Sequence, residues 1–393
     1  MDKKGFSVIA LLFIFGALIL GGTGVVYFTS KENPPVDSPE SAPQNPVPVS
    51  TGNEAASTTV SSNPLPATTS PESGTGTSGK KISPLKPANL ENLVQGHNDA
   101  RADRINLVIV GINFSSIDEL KNTGIEMLSW GGSPVRNGVA FGPFAIEPLR
   151  SNKGKFNVWY DTAIINGTTQ DDIRNKAVDE EGSINKTGLK YVVPIFLNKL
   201  KQSPGINTFI TPHSVGFGIT LEDNSFSSLT KDKLQPKAVF VNVQEPLTSP
   251  SQLAHELGHG IFGLADEKTD SPFDKPGSAP RIRAPDCVAT PADAQKLWGD
   301  MVGQVDPFYT NWKSTLQQNG QWETLFPSDV SWWKSMDDGV KVGYYYGQCY
   351  GDPNGKDAIR PTDFSIMNQS QVAVFGPVNR KQVEIVLGFF KGF

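Results

Sequence analysis

Residues 249–267 read SPSQLAHELGHGIFGLADE. Ser249 and Gln252 have the spacing of a capping box, and Pro250 falls at the first helical position, where its missing N–H costs nothing. The segment is expected to be a helix, with His255 and His259 one turn apart on a single face. Two imidazoles so placed can share one Zn2+ at about 2.0–2.1 Å each. Glu256 follows the first histidine. It can serve as general base toward a zinc-activated water without ligating the metal itself. The chain holds only 4 histidines. Chance placement of such a pair with its glutamate is on the order of one in a thousand, which favours a metal site over two solvated histidines. Leu253, Leu257 and Ile261 make the segment half-buried, against the same alternative. Gly258 and Gly260 each cost about 1 kcal/mol inside a helix, which implies close approach by another element.

A catalytic zinc keeps three protein ligands and leaves a fourth position to water. No third histidine follows. Gly263 can end the helix and turn the chain toward Asp266 and Glu267. Asp266 is the preferred third ligand, and Glu267 or a distant donor such as His213 is the alternative. Asp266 could also act as a partner that orients a ligand histidine.

Working outward, Ile105–Ile112 (INLVIVGI) is an apolar, β-branched run expected as a buried strand. Ser116 and Glu119 pattern as a capping box for a helix to about Leu128. Further strands are expected at Phe156–Tyr160, Tyr191–Leu197 and Ala238–Val243. Helices are expected from Thr290 through Trp298 and over Asn379–Leu387. Strands alternating with helices imply an α/β domain over residues 95–393.

Of 393 residues, 30 are proline and 38 glycine, and the net charge is −5. No basic excess exists to neutralise phosphates, which argues against nucleic acid as a partner. Two cysteines exclude a disulfide-dense miniprotein and a four-cysteine zinc module.

Phe6–Phe28 is an uncharged run long enough to cross a bilayer of about 30 Å as a helix. Lys3 and Lys4 precede it and place the N-terminus inside by the positive-inside rule. The run is long for a cleavable signal peptide, so residues 1–28 are expected to be an uncleaved, single-pass membrane anchor. Residues 29–94 follow as a disordered linker. Eleven prolines lie between Thr29 and Pro87, with no aromatic residue. Such a segment cannot bury enough apolar surface to offset its ordering entropy. The remainder of the chain is then extracytoplasmic. Cys287 and Cys349 are a pair that can bridge in an oxidising compartment, or two buried thiols.

HELGHGIFGLADE resembles the HExxHxxxGLxDE motif of the IgA-peptidase-type zinc metallopeptidases, a metzincin-like family. The resemblance extends to DARADRINLVIVGINFSS (99–116), to FGPFAIEPLRSNKGKFNVWYDTA (141–163) and to YYYGQCYGDPNGKDAIRPTDFSIMN (344–368). It implies a metzincin-like α/β domain with a twisted mixed sheet, an active-site helix and a C-terminal helix. It also implies zinc on His255, His259 and Asp266, Glu256 as catalytic base, and Met367 as the turn methionine beneath the metal. Two positions depart from the family pattern. Lys268 stands where an aromatic usually follows the Asp-Glu pair, and Ser365 where a cysteine often precedes the methionine.

The expected function is a membrane-anchored, extracytoplasmic zinc metalloendopeptidase acting on protein or peptide. The alternatives are a zinc amidase acting on cell-wall peptide cross-links and a non-catalytic, zinc-stabilised surface adhesin. Three further features carry rival roles. The hydroxyls of Tyr344–Tyr346 could stabilise an oxyanion or simply pack. Arg360 could hold a substrate carboxylate, but bracing the turn is favoured. Trp332 and Trp333 could form a sugar platform, but a core role is favoured.

Overall fold

Ile105–Ile112 is strand β2, and all eight of its residues are buried. It lies at the centre of a six-stranded sheet with order β1-β3-β2-β4-β6-β5. The other strands are β1 (Leu90–Asn92), β3 (Phe156–Ile165), β4 (Val192–Asn198), β5 (His213–Ser214) and β6 (Val239–Asn242). The four inner strands are parallel, while β1 and β5 run antiparallel at the two edges. Parallel strands covered on both faces need near-continuous apolar runs, which is the pattern of INLVIVGI. The computed structural model describes residues 89–94, 103–135, 138–199, 213–243, 249–267, 284–346, 349 and 358–392. The expected membrane anchor (1–28) and most of the expected linker lie outside these residues. Among the described residues, no helix is long and apolar enough to cross a membrane.

Alternate strand residues supply two cores. Leu107, Ile109, Val193, Ile195, Val239 and Val241 pack with helices α1 (Ile117–Leu128), α3 (Ser249–Gly260) and α9 (Pro377–Gly388). Val108, Val110, Phe196 and Phe240 face the other way, onto α2 (Gln170–Asn185). Each fully buried aliphatic side chain contributes roughly 1.5–3 kcal/mol, so the sheet is stabilised from both sides. The chain between α3 and α9 adds α4 (Pro291–Trp298), α5 (Pro307–Gln318) and three short helices, α6 (Trp322–Leu325), α7 (Ser331–Lys334) and α8 (Met336–Gly339). A two-stranded ribbon follows, β7 (Tyr345–Tyr346) with β8 (Ile359–Arg360). The fold is therefore α/β with a mixed sheet.

Several boundaries differ from the sequence reading. Order was expected from residue 95, yet Leu90 is 1% exposed and β1 pairs with β3. Three residues are too few to register as a strand beside a proline-rich stretch. β3 continues past Tyr160 to Ile165. Helix α2 carried no expectation, because only Ile173, Ala177 and Ile184 along its 16 residues are buried. Ser116 caps α1 as expected, accepting from Glu119 N. The Glu119 carboxylate reaches back to Ser115 N instead of Ser116 N. Helix α3 already includes Ser249, and Gln252 Oε1 has no hydrogen-bond partner among the described residues. The capping box expected at Ser249 is therefore not closed by Gln252.

A polar knot lies where β2 and β3 begin. Asn106 Nδ2 donates to Lys190 O at 2.7 Å, and Asn106 Oδ1 accepts from Asn157 Nδ2 and Trp159 Nε1, both at 2.9 Å. Removing a shared buried partner leaves several groups to be desolvated unpaired. Asn106→Ala is expected to lower stability by about 2–4 kcal/mol, read from the midpoint of urea unfolding.

Candidate metal centre

Helix α3 packs against β6 and carries both histidines on its inner face. Each ring is oriented by a backbone carbonyl. His255 Nδ1 lies 2.8 Å from Ile366 O, and His259 Nδ1 lies 2.6 Å from Leu264 O. A carbonyl oxygen only accepts, so each Nδ1 carries the proton and donates it. This turns both Nε2 atoms toward one point, 3.1 Å from each other.

Asp266 closes the triangle. Its Oδ1 is 3.1 Å from His255 Nε2 and 3.5 Å from His259 Nε2. These three residues are the group among the described residues that could hold a metal ion. Ligand atoms about 2.0–2.1 Å from a tetrahedral ion stand roughly 3.3–3.4 Å apart, so the donor separations fit such an ion. The electrostatics agree with the geometry. Burial alone would raise the Asp266 carboxyl, but the two imidazoles hold it well below the usual carboxylate range. Burial opposes a charge on His259, yet the neighbouring Asp266 carboxylate lifts this imidazole to about 9. Each of these shifts favours positive charge at the point where the three side chains meet.

Glu256 is 4% exposed, and its Oε2 has no hydrogen-bond partner among the described residues. Burial raises its pKa above the ordinary value, against the pull of His255 and His259. A buried carboxyl with an unpartnered oxygen beside two imidazoles is suited to taking up and releasing a proton.

Backbone geometry brings Asp266 to the histidines. Gly263 has φ +67°, and a Cβ there would stand 1.6 Å from Ile219 O. Only glycine fits this left-handed turn without displacing the chain. Beneath the helix, Met367 is fully buried, and its Sδ lies where a Cβ on Gly258 would approach to 2.6 Å. A Cβ on Gly260 would meet Val239 Cγ1 at 2.9 Å. These are the close approaches that two glycines in the helix implied.

Glu267 does not reach the histidines. It is wholly buried, and its carboxylate accepts from Ser365 Oγ at 2.9 Å and Asn379 Nδ2 at 2.9 Å. Burial pushes it up to about 7, while these bonds and the Arg360 charge hold it down. Ser365, which departs from the family pattern, supplies that bond and also accepts from Met367 N. His213 is not part of the group formed by His255, His259 and Asp266. Its register opposite Phe240 puts it on the far face of the sheet, stacked on that ring at 4.8 Å.

Arg360, Tyr344, Tyr345 and Trp333 have structural partners, whereas Tyr346 is 63% exposed. Arg360 is 4% exposed, pairs with Asp363 and donates to Thr362 O, so it braces the turn. Tyr345 Oη shares its one proton between Asp338 O and Lys341 O, and Tyr344 Oη donates to Gln295 Oε1. Trp333 packs edge-on against Phe326. Lys268 lies outside the described residues. Cys287 and Cys349 are joined in a disulfide. Sequence reasoning passed over Asp286, a wholly buried carboxyl whose Oδ1 accepts from Ala265 N at 2.9 Å. Burial and the nearby Glu267 raise it well above the usual range. No motif marks such a residue, because its partner is a backbone N–H.

At pH 7 the metal-free His259, with a pKa of about 9, holds a proton that a metal must displace. Metal uptake at pH 7 is expected to release about one proton, and affinity should climb up to about tenfold per pH unit until pH nears 9. Calorimetric titration with zinc in buffers of different ionisation enthalpy measures the release. Binding heats independent of buffer would contradict it. Comparison of the chain with protein-family models and with curated proteins gives no match, so the site stands on its own geometry.

Proposed function

We propose that this chain is a zinc metallopeptidase of the IgA-peptidase type, hydrolysing peptide bonds in protein or peptide substrates. The supporting observation is the convergence of His255 Nε2, His259 Nε2 and Asp266 Oδ1, with a carboxyl one residue beyond the first histidine. Met367 under the helix and a C-terminal helix tied to the Asp-Glu pair accord with a metzincin-like domain. The ion would be held by His255, His259 and Asp266. When bound, zinc supplies Lewis-acid activation of water and of the scissile carbonyl.

The chain's own residues perform the proton work. Glu256 takes a proton from the attacking water at its unpaired oxygen. The same carboxyl then passes that proton to the leaving amine nitrogen. The Nδ1–H bonds to Ile366 O and Leu264 O keep both imidazoles from rotating through the cycle. The uncharged run Phe6–Phe28 after Lys3 and Lys4 supports placement of this domain outside the membrane that the run would anchor.

The direct experiment is a peptide-library digest with and without a chelator, read by mass spectrometry, beside a purified cell-wall digest. Cleavage of peptides abolished by the chelator is the expected result. Release of wall fragments alone would move the assignment to an amidase. Glu256→Gln should keep zinc and lose roughly 10²–10⁴-fold in kcat/KM, since the general base is removed. Asp266→Ala should lose more metal affinity than the ~10–100-fold typical of an outer partner. Unchanged zinc content in that variant would remove Asp266 from the ligand set.

A further inference from the structure

The third ligand sits on a loop, and a loop holds a ligand only as firmly as it is itself held. Asp266 is anchored from below by Glu267 N, which donates to Met367 O at 3.1 Å. On the other side lies the turn Ala284–Cys287, closed by its own bridge. Asp286 in that turn is wholly buried, and its Oδ1 takes the N–H of Ala265, the residue before the ligand. The next residue, Cys287, is bonded to Cys349 across 62 positions of sequence. Cys287 Sγ lies 3.6 Å from Asp266 O, and Cys349 Sγ lies 3.9 Å from Asp286 O. Ala265, Ala284, Cys287, Cys349 and Ala358 form a small apolar cluster of their own, with Phe217 packed on it. Phe217 in turn meets the His259 ring edge-on at 6.0 Å.

We propose that Asp286 and the Cys287–Cys349 disulfide form a latch that holds Asp266 in its ligating position, so that metal retention depends on the redox state of this bridge. This rests on the metal site proposed above and adds a control to it. Asp286 is a positioning residue, acting through Ala265 N–H and touching no reactant. The disulfide fixes the turn that carries Asp286 against the segment bearing Asp266. Reduction breaks the Sγ–Sγ bond and adds two electrons and two protons, giving two thiols. A trialkylphosphine reductant is oxidised to its phosphine oxide in the same step, with water supplying the oxygen. The freed turn then keeps its backbone bridge between Val288 and Ile359 but loses its covalent tie to Cys349, which packs with Ala265 in the same small cluster.

The test measures zinc affinity of the full chain by competition with a chromophoric chelator, alongside the visible spectrum of the cobalt(II)-loaded protein. Outer partners of metal ligands typically contribute ~10–100-fold to affinity, and that loss is expected for the phosphine-reduced protein and for Asp286→Ala. Asp286→Asn keeps an Oδ1 acceptor and should stay within about threefold of the parent, a rescue that bulk stability would not produce. The cobalt spectrum should change on reduction and be preserved in Asp286→Asn. An unchanged affinity in the reduced protein overturns the latch, as does an unchanged affinity in folded Asp286→Ala. If Asp286→Ala does not fold, Asp286→Asn decides the strut: an affinity as weak as that of the reduced parent overturns it. Oxidised parent protein that binds no zinc would instead overturn the metal site itself. Parent protein that binds zinc but cleaves no peptide would leave the latch standing while removing the proposed activity.

Discussion

Two carbonyl oxygens govern the centre of this protein. Ile366 O and Leu264 O each take an imidazole Nδ1–H, and this fixes which nitrogen of each ring is left with a lone pair. The consequence is three electron-rich atoms, two Nε2 and one Oδ1, within 3.1–3.5 Å of one another. Such an arrangement is repulsive unless positive charge occupies it. The Asp266 carboxylate raises the His259 imidazole, and the imidazoles in turn hold Asp266 well below the usual carboxylate range. Several hydrogen bonds around the site keep those carbonyls in place.

That task is spread over distant parts of the chain. Leu264 belongs to the loop leaving the helix, and Ile366 belongs to the turn before Val374, whose carbonyl takes Ile366 N–H at 2.7 Å. Glu267 joins the two segments, with Ser365 on one side and Asn379 of the C-terminal helix on the other. A buried carboxyl without partners would cost several kcal/mol, so this network stabilises one arrangement of three segments over alternatives. The final helix is thus part of the support for the site.

The grouping of the candidate residues was more legible in the sequence than the scaffold around them. The histidine spacing follows from helical geometry alone, and the glycines at 258 and 260 could be read as contacts because glycine is otherwise costly in a helix. INLVIVGI announced a buried strand because both of its faces are covered. Assignment among Asp266, Glu267 and His213 could not be settled that way. Adjacent carboxylates differ only in which way a left-handed glycine turns the chain, and His213 is set aside by its register opposite Phe240. β1 and α2 were missed for a common reason: few of their residues touch the core, so neither leaves a strong apolar rhythm. Asp286 was invisible because hydrogen bonds to backbone leave no residue pattern.

Gly258 and Met367 occupy what is in effect a single volume, shared between a helix and a turn more than a hundred positions apart. Neither can change size independently. A methyl added on the helix side demands shortening on the sulfur side, and a shorter side chain at the turn opens a void only the helix can fill. The two positions should therefore trade bulk as a coupled pair. A chain that carried alanine at the first would be expected to carry something smaller than methionine at the second.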